Sequence, residues 1–444
     1  MLSVKSAALP ARAAVRMSGP AAFVLIVSLF FLWGMANNLN DILIKQFKKA
    51  FELSDFKAGL VQSAFYLGYF ALALPAGLCT RGLGYKGALL IGLVLYAGGA
   101  FLFYPAAEIR GYGLFLAALF VIASGLAFLE TSANPLVTVM GDPEGAARRL
   151  NLAQSFNPLG SIAGVLIGQH FILSGVELSP ADLAALLPQA RDAYLSVETR
   201  AVQGPYLVVG AIALLWALLI AVTRIPAVEG TDAVEAGAAQ SSVPQSSPPG
   251  SRSLWRMRNF MFAVGAQFLY VGAQVGVWSF LIRYTQAEVP GTPEKSAANF
   301  LTGSLLAFMV GRFVGTAAMR FAAPSRILAI YAVAACGLVG FAILHPGQSG
   351  VWALVATSFF MSVMFPTLFA LGLDGLGTTE RKLGASFLVM AIIGGAVLTA
   401  LMGAISDVAG IANAMSVPLA CFAAVAAFAL YTEKGRLSGN REQP

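Results

Sequence analysis

YGLFLAALFVIASGLAFLETSANPLVTVM (112–140) decides the fold class. It runs for 29 residues, and Glu130 is its only charge. About 20 apolar residues are enough for a helix to cross the ~30 Å hydrocarbon core of a bilayer. The stretch therefore reads as a membrane span.

Eleven more stretches of the same kind occupy most of the chain. With 112–140 they lie at 20–44, 58–80, 86–106, 112–140, 149–174, 204–224, 259–284, 298–320, 326–344, 350–372, 382–405 and 412–431, numbered here as spans 1 to 12. The whole composition agrees. Of 444 residues, 58% are hydrophobic and 11% are charged, with a mean hydropathy of +0.77. An average soluble domain carries ~25% charged residues, so soluble domains, disorder, collagen and coiled coil are excluded. The net charge of +7 fits basic loops against an anionic leaflet and does not by itself suggest nucleic acid. Cys79, Cys336 and Cys421 lie in apolar runs, an odd number without motif spacing, which argues against a disulfide framework or a zinc site.

Lys5, Arg12 and Arg16 precede the first span, but its apolar run is too long for a signal peptide and no small-residue cleavage site follows. It is expected to remain as an uncleaved span. With the N-terminus cytoplasmic, the inner segments hold eighteen Lys and Arg and the outer segments nine. Both termini are therefore expected inside. Lys45, Lys48, Lys49 and Lys57 in the first outer loop run against the trend.

Two segments break the rhythm. Residues 226–254, rich in Ala, Ser, Pro and Gly, read as a flexible cytoplasmic linker between halves at 1–225 and 255–444. Residues 175–203 read as an outer loop with some helical pattern after Ser179-Pro180. The halves resemble each other. Phe31-Leu32-Trp33-Gly34 in span 1 matches Phe268-Leu269-Tyr270-Val271 in span 7, and Gly68-Tyr69-Phe70 in span 2 matches Gly311-Arg312-Phe313 in span 8. A parallel repeat about an axis along the membrane normal is the architecture of the major facilitator superfamily, with the substrate site near the midplane between halves. The expected fold is an all-α membrane protein of twelve transmembrane helices in two six-helix halves.

Asp41 and Glu130 are the clear intramembrane carboxylates. A carboxylate in a span costs at least ~2.5 kcal/mol, so it normally faces a cavity and marks function. Trp33, Asn37 and Asp41 recur at i, i+4, i+8 on one helix face, with Asn38 beside them. In span 4, Glu130 and Asn134 lie at i, i+4, and Pro135 follows. In span 5, Gln154, Asn157 and Ser161 form a stripe; in span 7, Gln267, Gln274 and Trp278 form another. Amides on four spans suggest a ring of hydrogen-bonding groups around a cavity, in which an aromatic can stack on a sugar. The competing reading is ordinary interhelical amide bonding, which is modest per contact. Arg312 is the one cation well inside a span, and its partner is either a carboxylate or backbone carbonyls. His170 and His345 sit at span ends and read as interfacial residues. No P-loop, dinucleotide fingerprint or metal-ligand cluster occurs, so ATP-driven transport and enzymatic chemistry lack support.

FFLWGMANNLNDILIKQF (30–47), GLAFLETSANPLVTVMG (125–141), RLNLAQSFNPLGSIAGVLIGQHFILS (149–174) and AQFLYVGAQVGVWSFLIRY (266–284) resemble the bacterial L-fucose:proton symporter family. The likeness covers about 23–431, excluding the linker. It implies that Asp41 and Glu130 are the proton-coupling carboxylates. It also implies that Asn38, Gln154 and Asn157, with Glu130 itself, bind sugar. Hexose carriers of the family tend to have an acid where Gln274 stands and a small residue where Trp278 stands, a difference that favours L-fucose. GLCTRGLGYK (77–86) departs from the superfamily's loop 2–3 motif in lacking its usual Asp.

The expected function is import of a neutral sugar, foremost L-fucose, by proton-coupled symport. The ligands are the sugar and a proton, and no cofactor or metal is expected. The partner is the lipid bilayer of a bacterial inner membrane, the chain is expected to be a monomer, and no nucleic acid is involved. The proton-coupling residues are Asp41 and Glu130; the sugar-binding candidates are Asn37, Asn38, Glu130, Asn134, Gln154, Asn157, Gln267, Gln274 and Trp278. A symporter for glucose, galactose or N-acetylglucosamine is the alternative; more remote are an exporter of apolar compounds and a membrane sensor.

Overall fold

The structure, a computed structural model, describes residues 22–35, 51, 55–167, 171, 183, 185–223 and 254–439. The described residues are helical almost throughout. Among them, nine helices are long and apolar enough to cross a membrane, and the shorter Ala22–Met35 lies in span 1. Every one of the twelve expected spans contains a described helix. Leu214, Leu215, Leu218 and Val222 of span 6 are exposed, an apolar exterior that suits lipid rather than water.

The helices depart from the expected spans where glycine and proline dictate. No loop separates spans 2 and 3. Asp55–Glu108 runs on through residues 81–85, kinked at Gly84, whose φ of 71° is accessible because glycine lacks a β-carbon. Span 5 is broken into Ala146–Gln154 and Phe156–Ile167, and span 10 into Gln348–Met361 and Met364–Leu373. Pro158 and Pro366 follow these breaks. A proline offers no N–H to the carbonyl four residues back and its ring crowds that carbonyl, so Gln154 and Ser362 lose their helical donors. Span 11 divides into Thr378–Met390 and Gly394–Ala409 around a short 3-10 turn, Ala391–Ile393. In the connection between spans 5 and 6, Pro188–Arg200 is a helix, tied to the end of span 3 by Arg200–Glu108 at 3.0 Å and by the Arg110–Asp192 ion pair.

The matched sequence pairs occupy matched contacts. A β-carbon at Gly160 of span 5 would fall on the carbonyl oxygen of Phe31 in span 1; one at Gly394 of span 11 would fall on that of Phe268 in span 7. Likewise Gly68 lets span 2 close on the Phe120 carbonyl of span 4, and Gly311 lets span 8 close on the Phe359 carbonyl of span 10. Close backbone approach through small residues is how membrane helices gain packing without a hydrophobic drive. Gly160→Ala is expected to lower the melting temperature of the detergent-solubilised protein by several degrees, since overpacking costs ~1–3 kcal/mol. Gly98→Ala, where open space surrounds the added carbon, is the control and should leave melting unchanged. Equal melting of both variants would show that spans 1 and 5 have slack.

The described contacts between the two groups of six spans gather at one end of the bundle, the end bearing connections 2–3, 4–5, 8–9 and 10–11. There Gly77 of span 2 abuts Ser386 of span 11, and Lys382 lies 5.6 Å above the Tyr85 ring. Asn151 of span 5 donates to Thr367 Oγ1 of span 10 at 3.1 Å. Basic side chains cap helix C-termini at the same end. Lys86 Nζ donates to Ala221 O at 2.7 Å and Thr223 O at 3.0 Å, and Arg149 donates to the carbonyls of Thr138 at 2.9 Å and Asp142 at 2.7 Å. The carbonyls of Ala221 and Thr138, in the last turns of spans 6 and 4, have no helical donor and carry the negative end of the helix dipole.

Candidate functional site

Span 4 (Tyr112–Val139) is buried on every side from Ile122 to Thr138. Within it stands Glu130, 4% exposed and near Tyr69 of span 2. Asn134 lies one turn further along the same face, fully buried. Its Oδ1 accepts from Gln154 Nε2 at 3.1 Å, while its Nδ2 and Thr131 Oγ1 are buried with no partner among the described residues. A carboxylate, an amide pair and unused polar atoms thus share the interior of this half. Such a group can hold a proton on the carboxylate and bond the hydroxyls of a polar solute.

Between the first two members of the stripe Gln154, Asn157, Ser161 the helical hydrogen bonding lapses at Ser155, whose backbone stays helical at φ −67° and ψ −18°, and the three side chains meet different neighbours. Gln154 points to span 4. Asn157 is half-buried and its backbone backs Gly34 of span 1. Ser161 Oγ donates to Gly34 O at 3.3 Å, so it joins spans 1 and 5 rather than lining a cavity. Asn37, Asn38 and Asp41 lie outside the described residues, as do residues 226–253 of the linker and His170.

In span 7 (Arg258–Glu288) the three candidates have different surroundings. Gln267 is fully buried, and neither its Oε1 nor its Nε2 has a partner among the described residues. Gln274 is half-buried. Trp278 is half-buried too; its Nε1 donates to Ser358 Oγ at 3.0 Å, and its ring meets Phe308 edge-on at 5.0 Å. The indole N–H is therefore committed to span 10, leaving ring surface rather than a donor for any ligand. On the neighbouring face Val275 and Ser279 line a cavity of about 360 Å³ with Tyr66 of span 2 and Thr399 of span 11. A larger hollow of about 480 Å³, walled by Met261, Phe268, Phe387 and Met390, is apolar. Neither cavity reaches Glu130 or the amides, so chemistry and burial place the site better than volume does.

Two residues emerge that the sequence left undecided or unmarked. Arg312, 3% exposed, pairs with backbone carbonyls: Nε donates to Ser362 O at 2.7 Å and Nη1 to Gln154 O at 2.8 Å, with Phe308 beneath the guanidinium at 4.5 Å. Asn151, unmarked by any pattern except its polarity in an apolar span, bridges spans 5 and 10. Among the described residues no His/Cys/Asp/Glu group could hold a metal ion, and the three cysteines are free.

The family model for the Major Facilitator Superfamily matches residues 22–391. The chain is 48% identical over 412 residues to the L-fucose-proton symporter of Escherichia coli (strain K12), covering 92% of each protein. It is 37% identical to a glucose/galactose transporter of Brucella abortus biovar 1 (strain 9-941), over 91% of this chain and 92% of that one. Among solved structures it resembles a crystal structure of the transporter FucP in the outward conformation, with a TM-score of 0.82 and 46% identity over 93% of this chain and 99% of that chain.

Proposed function

Because the chain belongs to the Major Facilitator Superfamily, we propose that it imports L-fucose together with protons by alternating access. The observation that carries this reading is Glu130, a carboxylate buried at mid-span beside the Asn134–Gln154 amide pair, in a chain so close to a fucose-proton symporter. The carboxylate takes a proton when the cavity faces outward and gives it up when the cavity opens inward. Proton and sugar are coupled because both favour one state of the protein. Asp41 shares the proton-coupling role. Asn37, Asn38, Gln154, Asn157, Gln267 and Gln274 supply sugar contacts from both halves, and Asn134 acts from behind Gln154. The proton is the coupling ion and no cofactor takes part.

The chain sits as a monomer in a bacterial inner membrane with both termini cytoplasmic, halves at 1–225 and 255–444 and a linker at 226–254. The cationic caps Lys86 and Arg149 lie at the end this orientation makes cytoplasmic. The described contacts between the halves gather at that same end, as an outward-facing form would require.

Reconstituted in liposomes under an inward proton gradient, the protein should accumulate labelled L-fucose and should not do so after the gradient is collapsed. A panel of competing sugars separates the second reading, a glucose/galactose carrier, which the 37% relative supports. Accumulation of no sugar in the panel would end the sugar reading altogether.

Trp278 is expected to set the choice at C6. Its ring face can cover the fucose methyl, and a 6-hydroxyl pressed there without a partner would be desolvated at a cost of ~1–3 kcal/mol, roughly ten- to a hundredfold in affinity. Trp278→Ala should weaken fucose binding and narrow its margin over galactose-configured 6-hydroxy sugars. An unchanged affinity ratio in competition binding would assign Trp278 to helix packing through Ser358 alone.

A further inference from the structure

Spans 5 and 10 belong to opposite halves, and each carries a proline that strips a carbonyl of its helical donor: Pro158 strips Gln154, Pro366 strips Ser362. A bare carbonyl in a membrane interior is costly, and a buried guanidinium has several donors and no water. Arg312 meets both needs at once. Its Nε takes Ser362 O at 2.7 Å and its Nη1 takes Gln154 O at 2.8 Å. Two discontinuities on different halves are thus closed by one side chain.

We propose that Arg312 is an inter-half clamp, locking the closed end of the bundle through the carbonyls that Pro158 and Pro366 set free. Arg312 rides on span 8 in the same half as Ser362, so its bond to Ser362 persists when the halves part. The bond to Gln154 crosses the interface and must break. Asn151–Thr367 runs alongside as a second, weaker tie between the same two spans. The clamp also reads the site. Gln154, whose carbonyl it holds, bonds Asn134 through its side chain, one turn from Glu130. On the other side, Phe308 lies under the guanidinium and against Trp278. Arg312 is therefore a positioning residue, placed between the sugar wall of one half and the amide pair of the other. A simple packing role would satisfy the same donors but would not change how often the end opens.

The inference rests on alternating access and not on which solute moves, so its test uses no sugar. Nitroxide labels at positions 144 and 321, exposed and on opposite halves, report the opening of this end by pulsed electron resonance in nanodiscs. Cys79, Cys336 and Cys421 are first replaced. Arg312→Lys keeps the buried charge but lacks the fork that spans two carbonyls. Pro158→Ala leaves Arg312 untouched and returns an N–H to Gln154 O. Both should raise the open population about tenfold over the native protein, the scale of one lost charge-assisted bond. Native-like distances in Arg312→Lys would overturn the clamp, and if that variant does not fold, native-like distances in Pro158→Ala would do so. A protein with a working clamp that accumulated no sugar would instead refute the proposed function and leave this inference standing.

Discussion

Glu130→Ala is expected to abolish gradient-driven accumulation and to weaken sugar binding about ten- to a hundredfold. A carboxylate in reach of sugar hydroxyls forms charge-assisted bonds, each worth ~1.5–3 kcal/mol when its acceptor is lost in a buried site. Alanine removes the proton carrier and the acceptor together. Glu130→Gln keeps the shape and one acceptor oxygen, so it should retain more binding while still failing to accumulate. The two functions separate by pH as well. Native uptake should fall as external pH rises, because a deprotonated carboxylate no longer enters the cycle with its proton. Sugar exchange by Glu130→Gln should depend less on pH, keeping only the share that Asp41 carries. Calorimetry giving native affinity for Glu130→Ala would remove Glu130 from the sugar site. Its burial beside Tyr69 and Asn134 would then serve the proton alone.

The second large effect is expected at Asp41, where Asp41→Asn should reduce accumulation against a gradient to the equilibrium level. Asparagine keeps the size and one oxygen of the side chain but cannot carry a proton. Binding and exchange of labelled sugar between equal compartments should survive, since neither needs net proton movement. A mutant that still concentrates sugar under an imposed pH gradient would place the coupling proton on Glu130 only. Testing both carboxylates also orders them: one whose replacement spares binding couples the proton only, and one whose replacement costs binding holds the sugar too.

The roles assigned to these residues came from different layers of information. The twelve spans, the polarity of their loops and the strangeness of Glu130 were open to reading from the chain alone. Length, hydropathy and the cost of a charge in hydrocarbon are local properties that every residue carries with it. The repeat was legible for a related reason. Gly68 and Gly311 recur because a helix must approach another backbone at the same place in each half. The breaks in spans 5 and 10 had a visible signal, Pro158 and Pro366, but hydropathy averages over a proline and runs straight through it.

What the tertiary structure decided is who meets whom. Helical spacing put Gln154, Asn157 and Ser161 on one face, but only the fold shows that Gln154 meets Asn134 and Ser161 meets Gly34. Periodicity placed Trp278 near Gln274, but its N–H went to Ser358, 80 residues further on. Arg312 was plainly anomalous in its span, while its acceptors lie 50 and 158 residues away, on helices of both halves. No pattern within a window of sequence contains such a pairing. It exists because a buried cation and two carbonyls robbed of helical donors have no water to turn to, and only the folded arrangement of spans 5, 8 and 10 brings them within reach of each other.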